Sequence, residues 1–225
     1  DSTVRLRGGE PVAFDGSSRA KAKEIDWNTN ARHSYLRGAV SVTYYSRKDM
    51  GDSIPFASSD KPVFITSETA DFDYASSIAT FTENARTWQG SNYVRGNRIV
   101  VEQDKGKMMA DGNVQSVLYD SKQKVGTRDV SVPVYAAAKS LYYDRDSRVL
   151  KYNGDTDIRQ GTDRVTSGTT DVYLNENNEV VKTVSETAVV VTQPGRRASG
   201  SWLLYTAGDE VAVLRGSPAK VTDAE

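Results

Sequence analysis

One histidine, His33 in the run Asn-Ala-Arg-His-Ser-Tyr, and no cysteine restrict the chemistry open to this chain. A thiolate nucleophile, a disulfide and a thiolate metal site all need side chains that are absent. A Ser-His-Asp relay needs its serine on a strained, defined turn; no G-x-S-x-G or similar context occurs, so His33 reads as a loop or strand-rim residue. Asp71 with Asp73, and Asp144 with Asp146, have the spacing that puts two carboxyls on one strand face or turn. They could be imagined as the carboxylate pair of a glycosidase, but solvated strand faces account for them. Asp155-Thr156-Asp157 beside Gly154 suggests calcium, yet the EF-hand spacing and its closing Glu are missing. Arg5 to Arg7, Lys21 to Lys23 and Arg196-Arg197 are small basic clusters, suited to phosphate groups or to plain surface charge. The expectation is a chain with no catalytic site, no cofactor and no metal.

The elements that position these residues read as strands. Apolar and polar residues alternate through Ala39-Val40-Ser41-Val42-Thr43-Tyr44, Val132-Pro133-Val134-Tyr135 and Ala188-Val189-Val190-Val191-Thr192, the period of half-buried strands rich in Val, Thr and Tyr. Turn chemistry recurs at Asp111-Gly112-Asn113, Asn153-Gly154-Asp155, Asn177-Asn178, Pro194-Gly195, Ala207-Gly208-Asp209 and Gly216-Ser217-Pro218. Only Ser18 to Lys23 has a helix-like composition, and it is short. With 37% hydrophobic and 26% charged residues, the 225-residue chain should fold around a thin core. Its net charge of −1 gives no global field to draw in nucleic acid. No stretch reaches the roughly 18 apolar residues of a membrane-spanning helix. The numbering opens on Asp1, which suggests a processed start.

An internal repeat organises the strands. From a small residue, five steps lead to an aromatic or branched side chain, and a Gly-Asn-type turn follows eleven to thirteen steps later. The starts are Ala22, Ser67, Gly96, Ala137, Gly168 and Gly200; the anchors are Trp27, Phe72, Val101, Tyr142, Tyr173 and Tyr205. The turns fall at Gly38-Ala39, Glu83-Asn84, Gly112-Asn113, Gly154-Asp155, Glu186-Thr187 and Gly216-Ser217. Residues 46–61 and 120–131 read as polar loop insertions in a scaffold spanning about 20–219, within one domain over 1–225. Each unit is expected to be a strand, a tight turn and a second strand, stable only when stacked on its neighbours. Offsets three and five share a face, so Ile25 and Trp27, Ala70 and Phe72, Ile99 and Val101, and Leu203 and Tyr205 pair up, as do Ser140 with Tyr142 and Asp171 with Tyr173. That face is either filled core or the wall of an apolar slot.

The run Val63 to Val101, VFITSETADFDYASSIATFTENARTWQGSNYVRGNRIVV, resembles the OstA-like repeat of the lipopolysaccharide transport proteins, the family of LptA, LptC and the N-terminal domain of LptD. There a small-x-x-aliphatic-x-aromatic strand precedes T-F-x-G-N-V-x-V-x-Q-G. Matching residues here are Thr80, Phe81, Asn84, Ala85, Gln89 and Gly90, then Gly96, Ile99 and Val101. Glu83 stands where the family has Gly, and the Gly form returns in Asp111-Gly112-Asn113-Val114.

The resemblance implies an all-β, twisted, half-open β-jellyroll of about six stacked hairpin repeats, working in the periplasm, with room for an inner-membrane anchor ahead of Asp1. It implies a groove that shields the lipid A acyl chains of lipopolysaccharide. It also implies edge-strand pairing with other Lpt-type β-jellyroll proteins, or with copies of itself, to bridge inner- and outer-membrane components. The groove residues are then Ile25, Trp27, Phe72, Phe81, Ile99, Val101, Tyr142, Tyr173, Leu203 and Tyr205. Two readings from other classes stay open: an extracellular β-repeat protein that binds or processes polysaccharide through Tyr and Trp, and a structural repeat without a ligand.

Overall fold

A computed structural model of the chain describes residues 2–46, 53–55, 61–118, 122–125, 128–208 and 211–223. The rest of the two expected insertions lies outside the described residues. Four short strands come first: β1 (Thr3–Arg7), β2 (Val12–Phe14), β3 (Ser18–Lys21) and β4 (Glu24–Asn28). Five long ones follow: β5 (His33–Tyr44), β6 (Val63–Asp73), β7 (Ile78–Gln89), β8 (Asn92–Glu102) and β9 (Lys107–Leu118). A small hairpin, β10 (Lys122–Val125) with β11 (Arg128–Ser131), forms a sheet of its own. Then come β12 (Val134–Asp144), β13 (Val149–Gln160), β14 (Asp163–Leu174), β15 (Val180–Gln193) and β16 (Arg196–Thr206), and last β17 (Val211–Arg215) and β18 (Lys220–Asp223). The residues from Ser18, helix-like in composition, are strand β3.

All but β10 and β11 join one 16-stranded sheet in nearly sequential order, paired antiparallel. Each long strand bends at its middle. In β13, Asn153 pairs with Thr169 and Thr156 with Ser167, so Gly154 and Asp155 stand opposite the single residue Gly168. Such a two-against-one bulge sharpens the local twist and turns the strand. The same bulge sets Gly38-Ala39 against Glu68, Glu83-Asn84 against Asn97, Gly112-Asn113 against Lys139, and Thr187-Ala188 against Ser201. Both residues of every pair have positive φ, for example 76° at Gly112 and 54° at Asn113.

Space as well as φ selects glycine here. A Cβ on Gly112 would lie 2.7 Å from Asn97 Nδ2, and one on Gly154 2.7 Å from Lys139 Cδ, because the side chain of the neighbouring rung lies across the bend. At β14 and β15 the roles are exchanged: Gly168 supplies the gap and the Thr187 side chain fills it, 2.8 Å from where a Gly168 Cβ would be.

The aligned bends fold the sheet into two facing layers, joined along the bend line. Layer one holds β1, β4, the halves 33–37, 69–73, 78–82, 98–102, 107–111, 140–144, 149–153, 169–174, 180–186 and 202–206, and β17. Layer two holds β2, β3, the complementary halves, and β18. Inward residues of both layers, from Ala22 to Leu174, form one apolar cluster. This is the half-open jellyroll that the resemblance implied.

The Gly-Asn-type sites are where the structure corrects the expectation most. Gly38-Ala39, Glu83-Asn84, Gly112-Asn113 and Gly154-Asp155 are mid-strand bends, not hairpin turns, and Glu186-Thr187 lies one residue ahead of the Thr187-Ala188 bend. The chain reverses instead at places such as Gly90-Ser91, Gly161-Thr162 and Pro194-Gly195. Gly216-Ser217 lies between β17 and β18, which pair with the two halves of β16.

Candidate functional site

Two layers joined along one line leave a slot, and its state changes along the stack. Beside β1 to β4 it opens into a cavity of about 470 Å³. Val4, Leu6, Ile25, Trp27 and Phe72 line it from layer one, and Ala20, Val42 and Tyr44 from layer two. Val4, Leu6 and Trp27 stay substantially exposed, Trp27 at 49%, although their strand positions point inward, and Phe14, in outward register with Arg19, borders the opening from the end of β2. Aromatic rings lead from the opening to the core. Tyr74 stacks on Phe72 with centroids 6.1 Å apart, and Phe72 meets Phe81 edge-on at 5.7 Å. Phe81, Ile99 and Val101 are fully buried beyond it.

The free rims of the layers touch just past this cavity. Gln103, after β8 in layer one, donates from Nε2 to Tyr44 Oη at the end of layer two, 3.2 Å away. Ser53 donates to the Glu102 carbonyl at 3.3 Å, and Ile54 beside it is wholly buried in the apolar cluster. Burial, with Tyr74 and Asp15 adding unfavourable charge, pushes the Tyr44 phenol well up. Farther along, the interior turns polar near the bend line. Thr156, Ser167, Thr170 and Ser185 form a buried hydroxyl chain with 2.9 Å links from Ser167 to Thr170 and from Thr170 to Ser185. Ser116 and Tyr152 meet across the slot at 2.8 Å.

Six residues expected to line a groove, Ile25, Phe72, Phe81, Ile99, Val101 and Leu203, are buried and face inward. Trp27 and Tyr205 share the inward register with Ile25 and Leu203. Tyr142 and Tyr173 do not: Leu141, Tyr143, Val172 and Leu174 are buried, and the two tyrosines alternate onto the outer surface of layer one. Tyr142 donates to Asp144 there, and the Lys182 ammonium lies 4.2 Å from the Tyr173 ring centroid.

The cause is a one-residue slip in each unit, which flips every side chain of a strand. The small residue just before the bend on the inner side is Ala138, not Ala137, and Ser167, not Gly168. Counting from these, offsets three and five give Leu141 with Tyr143 and Thr170 with Val172, all buried. Val4, Leu6 and Phe14 were missed, although Thr3-Val4-Arg5-Leu6-Arg7 carries the alternation that identifies the first two.

The candidate catalytic residues hold turns and ion pairs. Asp73 accepts from the Ser76 hydroxyl and from the Ser76 and Ala75 N–H groups, which hold its carboxyl below the usual range. Asp144 pays for desolvation yet is also held low, by the Ser147 and Asp146 N–H groups. Both are Asx turns between strands. His33 Nε2 lies 2.9 Å from Asp71 Oδ1 on the outer face of layer one. Asp155 pairs with Lys139 at 2.8 Å, while hydrogen bonds from Arg159 and then Arg164 hold Asp157 low, so the suggested calcium ligands point to separate cations. Among the described residues no three His, Asp or Glu side chains gather as a metal site would require.

Comparison with known proteins adds the family. The model described as LptA/(LptD N-terminal domain) LPS transport protein matches twice, over residues 64–148 and 135–225. The two matches begin at Phe64 in β6 and Tyr135 in β12, equivalent places in layer two. No curated protein matches. Among solved structures the chain is similar to LptH from Pseudomonas aeruginosa, described as the LptA homologous periplasmic component of the conserved lipopolysaccharide transport device. The identity is 14% and the TM-score 0.39, over 73% of this chain and 96% of that one. With the two matches together spanning well over half of its length, this chain belongs to the LptA/LptD N-terminal domain family of lipopolysaccharide transport proteins.

Proposed function

We propose that this chain is a periplasmic, non-enzymatic lipopolysaccharide carrier of the LptA or LptC kind, a single domain that holds lipid A acyl chains between its two layers. The observation that carries this reading is the apolar slot that opens beside β1 to β4 and runs inward past Trp27 and Phe72. The cavity volume lies within the roughly 300–1,000 Å³ typical of small-molecule sites. Removing a chain of a dozen methylenes from water is worth about 10 kcal/mol at about 0.8 kcal/mol each, so an acylated lipid needs such shielding to cross an aqueous space. Ile25, Trp27 and Phe72 are the contact residues at the opening. Phe81, Ile99, Val101, Leu203 and Tyr205 extend the same inner face.

Edge strands supply the means of bridging. β1 at one end and β17 and β18 at the other have no partner on one side among the described residues. Val211, Val213 and Val221 are exposed there, as is Val12 on β2, which pairs only with β3 among the described residues. Open edges of this kind template pairing with another chain, here a second jellyroll or another copy.

The reading is tested by placing a photo-crosslinking residue at Trp27 or Phe72 and, as controls, at Tyr142 or Tyr173. Covalent lipopolysaccharide adducts are expected from the first pair only. Equal adducts from the outward tyrosines would refute a path between the layers.

A further inference from the structure

The outer faces of the two layers differ in charge pattern. On layer one, acids and bases interleave across neighbouring strands: Arg37 binds Glu24 and Asp26, Lys107 lies 3.7 Å from Asp144, and Lys151 lies 3.8 Å from Asp171. Layer two shows two outward rows. The row next to the bends includes Lys21, Arg86, Arg95 and Lys220, and its one acid is Asp157. The row nearer the free rim carries Arg19, Arg159, Arg164 and Arg197, with no acid among the described residues. Asp157 sits between Arg159 and Arg164, leaving that trio one net positive charge, and Lys21 pairs with Glu10. Arg19, Arg86, Arg95 and Arg197 have no acidic partner among the described residues.

Aromatic rings lie among these cations. Phe64 stacks on Trp88 at 5.4 Å, and the Arg86 guanidinium lies 5.3 Å from the Trp88 ring centroid and 4.8 Å from that of Tyr93. With strands about 4.8 Å apart, the two rows run roughly 50 Å along the sheet face, their cations separated in the middle by the uncharged Gln115, Val117, Tyr135 and Ala137.

We propose that this outer face of layer two is a docking surface for a bilayer rich in anionic phospholipid. A charge pattern spread over an extended face, with no concavity to select one residue or one phosphate, complements an anionic plane better than an acidic peptide. Half-buried Trp and Tyr beside Arg suit the headgroup level, where an apolar ring and a polar edge are both accommodated. Docked in this way, the interior of the slot faces away from the contact. The surface is separate from the acyl path, so either can fail without the other.

The three tryptophans make the test direct, because they report on three surfaces: Trp27 on the slot opening, Trp88 on layer two, Trp202 on the outside of layer one. Single-tryptophan chains are mixed with phosphatidylcholine vesicles with and without phosphatidylglycerol. The expected result is sedimentation with the anionic vesicles only, abolished by high salt, with a blue shift of Trp88 and none of Trp202. Each cation near such a surface contributes about fivefold in affinity, so neutralising two of them by Arg86→Gln with Arg95→Gln should weaken binding about 25-fold. Arg19→Gln with Arg197→Gln, farther from the aromatic cluster, should act similarly. Equal binding to neutral vesicles, a shift confined to Trp27, or binding of polyglutamate but not of anionic vesicles would overturn the proposal.

Discussion

Tyr152 carries a proton that the fold protects. Burial pushes its phenol up to about 12, although the Ser116 hydrogen bond pulls the other way. A phenol raised in the folded state stabilises the fold fully below the unfolded value near 10, and that stability is lost as pH climbs toward the folded value. Melting temperature should therefore fall between about pH 10 and pH 12 more steeply than exposed tyrosines would cause, and Tyr152→Phe should flatten the fall. At neutral pH the same substitution strands the Ser116 hydroxyl, at a cost of about 1–3 kcal/mol in denaturant titrations. Thr87 supplies the opposite case. Its buried hydroxyl has no partner among the described residues, so Thr87→Val should raise stability by about 1 kcal/mol in the same titration. At this scale the sequence was legible as alternation, but a two-fold period has no origin of its own. Tyr142 and Tyr173 went to the wrong face because Ala137 and Ala138, or Ser167 and Gly168, are equally small, and only the pairing fixes which one precedes the bend.

The strand bend is the unit that the fold repeats. Its two residues with positive φ share their backbone conformation with the two-residue turn of a hairpin. Gly112-Asn113 therefore marks the correct place in the sequence whichever element it makes. Reversal or bending is decided by whether a neighbouring strand runs past the site, and that partner is distant in the chain: Lys139 for Gly112-Asn113, Gly168 for Gly154-Asp155. Gly112→Val should cost more than about 2 kcal/mol, combining a β-branched residue at positive φ with the collision against Asn97. Making the same change in an Asn97→Gly background separates the two causes. Denaturant titration should show part of the loss recovered through the vacated space, with the φ penalty remaining. Full recovery would mean that crowding alone selects glycine there.

At the scale of the whole molecule the layers are continuous, and among the described residues the edges stay open at both ends. The proposed edge pairing predicts that sedimentation shows association that grows with concentration. Lysines placed on an edge strand discourage pairing, so Val213→Lys with Val221→Lys should keep the chain monomeric and leave its melting temperature nearly unchanged. The apolar face and the family resemblance were readable from one chain. The division of the slot was not, because Ile54 and Tyr44 reach the opposite rim only once the bends have brought the layers together. The central claim is that acyl chains enter beside β1 to β4, and fluorescence quenching tests it most directly. In chains carrying one tryptophan each, lipopolysaccharide with brominated acyl chains should quench Trp27 and leave Trp202 bright; equal quenching of both, or none of Trp27, would contradict it.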